Sequence, residues 1–307
     1  MARDPAPEIV GLGMSVLDLI QVVDSFPREG GVSRVLESCI MGGGPVPTAL
    51  CAASCLGART AILDRIGDDW RGQLIREDYG RFGVSTGFLA IEPGKRSTLG
   101  NVLVRKGDGE RHLLYEEGDF TPFSSDELPR GLLESCRILH LNGRHWPACV
   151  EAARIVRAAG GLVSFDGGAH RFDEKYAELF PLVDLLIVAA EFADRAVGPG
   201  ARENQLVRLG QWGARIAGIT EGGHGSWFCE RGGTVVHQPA FPVSVVDTTG
   251  CGDVFHGAFL ASVLRGEDFE TCAHVAAAAA ALSATALGGR GHLPDREELE
   301  SFLGAGS

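Results

Sequence analysis

A chain of 307 residues is long enough for one large domain or two small ones, and 45% hydrophobic with 22% charged residues is the balance of a soluble globular protein. With 28 basic against 40 acidic residues the net charge is −12, which argues against nucleic acid and anionic membrane surfaces as partners, since both need a positive face. No uncharged apolar run approaches the roughly 18 residues of a membrane span, Met1–Glu8 carries no apolar leader segment, and eight cysteines without a CxxC pair read as reduced core thiols, so a cytoplasmic protein is expected.

In chain order, apolar runs suited to strands fall at 8–13, 59–66, 137–142, 161–166, 184–188 and 214–220. Helical patterns fall at 45–56, 69–82, 146–159, 203–212, 253–264 and 268–287. Their alternation predicts βαβ units and a mainly parallel sheet. The first helix carries Pro45 and Pro47 in its opening turn, where a missing N–H costs little, and Gly57 just past its end. The last long helix is Ala-rich (Ala276–Ala281) and stops at Gly288-Gly289; its small side chains allow close packing against the sheet or a flat ligand. Three stretches break the rhythm: Leu17–Asp24, Val32–Met41, and the pair Thr98–Arg105 and Arg111–Glu116, joined through Asp108-Gly109, a hairpin signal. With no repeat and no low-complexity linker, the expectation is a single α/β domain over 1–307 carrying a small β-sheet lid from about 17–41 and 97–117.

The strongest local signal is Val245–Asp253, where a strand is expected to end, a Gly-rich turn to follow and a helix to begin at Asp253. Consecutive N–H groups at a helix start hold an anion, and glycine lets a phosphate approach the backbone. Asp253 would stand beside that anion, able to accept a proton from an attacking hydroxyl; it could equally be the N-cap of an ordinary Gly-rich loop. Arg144 follows a strand end, where open α/β sheets bind ligands, and a guanidinium pairs with phosphate or another anion; the plain alternative is a surface arginine. Gly11-Leu12-Gly13 lacks the third glycine of a dinucleotide fingerprint, and Gly94-Lys95 lacks the rest of a Walker A loop.

The stretch Asp247–Asp253 (DTTGCGD), with Gly257-Ala258-Phe259 downstream, resembles the C-terminal signature of the ribokinase-like (PfkB) carbohydrate kinases, usually DTTGAGD. Gly42-Gly43-Gly44, Leu56-Gly57-Ala58 and Ile66-Gly67-Asp68-Asp69 with Gly72 resemble the family's first signature. The resemblance runs from about Ile9 to Pro294. It implies a three-layer α/β sandwich with a mainly parallel central sheet and a β-lid, and transfer of the γ-phosphate of ATP to a hydroxyl of a small sugar. By position it implies Asp253 as the base and Gly250, Cys251 and Gly252 as the anion hole, with Cys251 standing where Ala is usual. Asp18 matches the sugar-hydroxyl ligand, Gly43 and Gly44 the glycines against which the sugar packs, and Thr48 falls where many members carry an Asn ligand. Thr220, Gly222 and Gly225 match the loop beside the ATP phosphates and ribose; Ala281, Thr285 and Gly288 should approach the adenine.

Two features depart from the family. Ala189 and Phe192 occupy the Asn and Glu positions of its NxxE motif, leaving Glu191 as the nearby carboxylate, so Mg²⁺ is expected to be bound mainly by ATP phosphates and water. Asp247 and Thr249 match positions near a monovalent-cation site of some relatives, which raises K⁺ as a further cofactor. Short motifs (Gly42–Pro45, His237–Phe241, Asp253–Gly257, Gly288–Arg290) look most like the branch holding sulfofructose kinases and ketohexokinases, hence a ketose or a derivative, although Val32 stands where the former would carry a lid Lys. Whether Arg144 faces ATP phosphates or an anionic group on the sugar stays open, and His256 reads as packing on the helix flank. A nucleoside kinase of the same fold would need a flat aromatic slot, and the early lid region offers only Phe26. A non-catalytic sugar- or nucleotide-binding regulator would suit the missing NxxE but not the intact Gly250–Asp253 turn. Exposed lid edges invite pairing with a second copy, so a homodimer through the lid is expected.

Overall fold

The computed structural model describes residues 6–107, 109–169 and 171–305. Most of Met1–Glu8 and the Asp108 half of the predicted lid turn lie outside them. The chain runs β1 (Ile9–Leu12), β2 (Val16–Val23), β3 (Val35–Gly43), α1 (Pro45–Cys55), β4 (Thr60–Gly67), α2 (Trp70–Arg81), β5 (Ser85–Glu92), β6 (Thr98–Arg105) and β7 (Arg111–Glu116). It continues α3 (Arg130–Ser135), β8 (Ile138–Leu141), α4 (Ala148–Ala158), β9 (Leu162–Gly167), β10 (Leu185–Ala189), α5 (Ala190–Val197), α6 (Arg202–Gly210) and β11 (Ile216–Thr220). It ends β12 (Ser226–Glu230), β13 (Val235–Gln238), α7 (Cys251–Arg265), α8 (Phe269–Ser283) and α9 (Arg296–Ala305).

Nine strands form one sheet in the order β13-β12-β11-β10-β9-β8-β1-β4-β5, parallel from β5 through β11, with β12 and β13 added antiparallel at one edge. Its strands are apolar on both faces because helices cover both. Ile9, Ile62, Ile138, Ile187 and Ile216 join the cluster with Val46 of α1, Phe259 of α7 and Ala276 of α8. Their neighbours Val10, Leu63, Leu139, Val188 and Ala217 join the opposite cluster with Val156 of α4, Phe192 of α5 and Leu206 of α6. Successive side chains of a strand point to opposite faces, so alternate apolar residues build the two cores of a three-layer α/β sandwich. The eight cysteines are unpaired, with Cys51, Cys136, Cys149 and Cys272 buried. Among the described residues no helix is long and apolar enough to cross a membrane.

The lid is a second sheet, ordered β3-β2-β6-β7, in which β2 pairs antiparallel with β3 and parallel with β6. Ile20, Val102 and Val104 are buried under it with Leu287, while Leu36, Ile40, Leu113, Leu114 and Tyr115 stay exposed. Two expectations are corrected. No strand precedes the Gly-rich turn: 239–250 carry neither strand nor helix. Pro239 and Pro242 lack N–H donors, and Val246 N–H instead donates to Ala284 O at 2.8 Å. The Ala-rich helix also ends at Ser283 rather than 287, because Thr285 Oγ1 turns back to Leu282 O at 2.7 Å.

Candidate active site

The Gly-rich turn opens α7 beyond the C-terminal ends of the parallel strands. Gly250 is left-handed, with φ 74°, and a Cβ there would sit 2.5 Å from Gly289 Cα, so only glycine fits. Asp247, buried, ties the turn together. Its Oδ1 accepts from Thr249 N–H (2.9 Å) and Thr249 Oγ1 (2.8 Å), and its Oδ2 accepts from Gly288 N–H (2.9 Å). The first N–H groups of a helix have no partner inside it; Cys251 N–H makes a long 3.4 Å bond to Thr248 O, which leaves those of Gly252 and Asp253 available to an anion. Asp253 is half-buried in that first turn. Burial, and then the charge of Asp166 at the end of β9, hold its carboxyl well above the usual range, with Arg171, His256 and Arg111 pulling the other way. A carboxylate tuned upward in this manner is suited to taking a proton near neutral pH. Burial and Asp247 push the Cys251 thiol up to about 12, so it stays a thiol and offers only its N–H.

On the lid side, Asp18 of β2 lies between Gly43 of β3 and Gly100 of β6, and a Cβ at either glycine would overlap its carboxylate. Its carboxyl is raised to about 6 by burial, against the opposing charge of Arg290. Gly44, with φ 93°, is the N-cap of α1 and accepts from Thr48 N–H at 2.9 Å. Thr48 is buried, and its hydroxyl accepts from Arg290 Nε at 3.2 Å. Arg290 also donates to Gly43 O at 3.1 Å, pairs with buried Asp78 and lies 5.5 Å over the Tyr79 ring. The segment Gly288–Arg290 therefore touches both halves of the cleft: the turn through Gly288 and Gly289, and the Asp18 side through Arg290.

Thr220 ends β11, and Gly222 and Gly225 turn the chain into β12, with Gly225 buried beneath Gln238 O. Ala281 is buried in α8, and Thr285, half-buried beyond it, bonds His292 Nδ1 at 3.1 Å. Arg144 lies in the loop after β8, its side chain 40% exposed and 4.0 Å from Glu117. That loop is anchored by His145, which donates through Nε2 to Asp64 (2.7 Å) and accepts Phe123 N–H at Nδ1 (3.2 Å). Glu191 points outward from the first turn of α5, whereas Phe192 is core. Among the described residues no three His, Cys, Asp or Glu side chains converge on a metal position.

Sequence reading missed Asp166, Arg171 and the Arg290–Asp78 pair. Asp166 had one signal available, an acid at a strand end followed by Gly167-Gly168; Arg290 was seen only as part of a short motif.

The family model described as pfkB family carbohydrate kinase matches residues 6–296. An ATP-dependent ribose-1-phosphate kinase of Halopiger xanaduensis is 28% identical over 288 residues, covering 93% of this chain and 94% of that protein. The crystal structure of a candidate ribokinase from Agrobacterium tumefaciens superposes with a TM-score of 0.91 at 25% identity, covering 98% of each chain. Arabidopsis thaliana ribokinase, complexed with ribose and ATP, gives 0.84 at 24% identity over 97% of this chain and 99% of that one.

Proposed function

The chain belongs to the pfkB family of carbohydrate kinases and is an ATP-dependent phosphotransferase, and on that premise we propose that it phosphorylates a small sugar with Asp253 as general base. The observation that carries this reading is the place of Asp253 in the first turn of α7, directly after left-handed Gly250 and beside the N–H groups that follow it. Asp18 accepts hydrogen bonds from the sugar, which packs on Gly43 and Gly44 beneath the lid, with Thr48 behind them. Asp253 takes the proton of the acceptor hydroxyl, and the oxygen attacks the γ-phosphate in line. The turn of Gly250, Cys251 and Gly252 presents its N–H groups, and with them that of Asp253, to the charge that develops, so catalysis is positioning plus electrostatics. Mg²⁺ enters as part of the MgATP substrate. Thr220, Gly222 and Gly225 border the phosphates and ribose, and Ala281, Thr285 and Gly288 border the adenine. We read the chain as one kinase domain with its lid, acting on a ketose or a ketose derivative.

The test is ADP formation from MgATP with ketoses, aldoses, sulfosugars, sugar phosphates and nucleosides, in K⁺ and in Na⁺ because Asp247 and Thr249 adjoin the turn. Turnover with a ketose is expected. Turnover with nucleosides alone would replace the sugar reading, and none with any acceptor would favour a regulator. Asp253→Asn should keep the fold and ATP binding and lose roughly 10²-fold or more in turnover, the scale of general-base catalysis. Near-normal turnover in that variant removes Asp253 from the mechanism.

A further inference from the structure

Beneath the turn lies a set of buried polar side chains that the reading above does not use. His256, buried one helical turn after Gly252, has Nδ1 2.8 Å from Gly252 O and Nε2 3.3 Å from Ile187 O. Both partners are carbonyl oxygens and can only accept, so both ring nitrogens must donate, which is the hydrogen-bonding state of the doubly protonated ring. The carboxylate of Asp166 on β9 supplies the counter-charge, 4.0 Å from Nε2. From β8, the His140 ring packs with its centroid 5.5 Å from that of His256, and its Nδ1 meets Ser164 Oγ at 3.1 Å. Burial, and then the charge of His256, push the His140 pKa down to about 3, so of the two tilted rings this one is neutral. Asp253 on α7 feels the charges of Asp166 and His256, and with them those of Arg171 beyond β9 and Arg111 on the lid strand β7.

We propose that His256 is a positioning residue for phosphoryl transfer: a buried imidazolium that, by donating to Gly252 O, polarises the Gly252–Asp253 peptide and strengthens the Asp253 N–H as a donor to the transferring phosphoryl group. The carbonyl and the N–H belong to one peptide unit, so a charge-assisted bond at one end draws electron density from the other. A donor fixed before the reaction stabilises the transition state without reorganisation. The proposal rests on the kinase reading of the same site and adds to it a cation that touches neither substrate.

Two variants separate its parts. His256→Asn keeps a neutral donor near the Nδ1 position, and His256→Gln keeps one near Nε2. In His256→Asn, kcat should fall roughly 10-fold while MgATP affinity and the sugar KM stay within about 2-fold; in His256→Gln, kcat should fall further. Nitrogen-15 NMR of the full chain labelled at its nine histidines, with the His256 signals identified by their loss in His256→Asn, should show both ring nitrogens protonated at pH 7. A single neutral tautomer at His256, or folded variants with unchanged kcat, overturns the proposal. A wild-type chain that forms no ADP with any acceptor overturns the kinase reading and the catalytic half of this one, while the NMR result still decides whether His256 is a cation.

Discussion

Asp18 sits in the folded chain at the expense of stability. Its carboxyl moves from the ordinary 3.8 to about 6, mainly through burial between two glycines. Below about pH 4 it is protonated whether the chain is folded or not and contributes no difference. Between 3.8 and about 6 only the folded chain keeps the proton, so stability falls as pH rises, and above about 6 the full penalty of a buried carboxylate is present. Asp18→Asn should therefore melt higher than wild type at pH 8, with a gap that closes toward pH 4, while its sugar KM rises roughly 10-fold or more from the lost acceptor. Melting curves across that range check the sign; a gap that widens on acidification contradicts it. At this scale the sequence was informative where a residue sits inside a motif, as with Asp18, Gly43 and Asp253. It was silent where partners are far apart: Asp166 and His256 meet only because β9 and α7 are brought together by the fold.

Among the elements, the Gly288–Arg290 segment governs most. Gly288 N–H binds Asp247 of the turn, while Arg290 holds Thr48, Asp78 and the carbonyl of Gly43. Arg290→Met leaves the buried Asp78 with only the exposed Arg81, 3.8 Å away, at a cost of up to about 3 kcal/mol. Adding Asp78→Asn should recover part of that loss without restoring the sugar KM, because Gly43 O still lacks its donor. Urea denaturation and kinetics on the single and double variants check this, and no recovery in the double variant shows that the ion pair is not what Arg290 contributes. Most helices and strands that follow a βα rhythm were readable, and so were the lid strands that break it. The shorter helices α3, α5 and α9 were not, nor were β5, β12 and β13. β5 carries Gly87 and follows α2 directly into the lid, and the other two add antiparallel at the sheet edge, where half-exposed strands lose the continuous apolar run. The strand expected before the turn failed for the opposite reason: Val245 and Val246 are apolar but exposed.

For the whole molecule, the lid exposes Leu114 of the edge strand β7 and Ile40 of β3 on its outer side, and Leu113 and Tyr115 of β7 at the edge of its other side. An apolar edge of this kind suits pairing with a second lid. Light scattering after size-exclusion should give twice the chain mass for wild type and the single mass for Leu114→Glu; a monomeric wild type removes the lid dimer. The net charge of −12 is compatible with an ATP-dependent phosphotransferase if, as proposed, its anion contacts are backbone N–H groups at one helix start.

The hydrogen bonds of Arg290 to Thr48 and Gly43 span 242 and 247 residues. A chain made from its N-terminus lays down β2, β3 and α1 early, yet their glycine platform lacks its fastening until residue 290 has left the ribosome. Until then the one arginine beside Asp78 is the exposed Arg81, 3.8 Å away. The Arg290 contacts are thus the last to become available, together with the docking of Gly289 against Gly250. The two halves of the cleft share one C-terminal fastening.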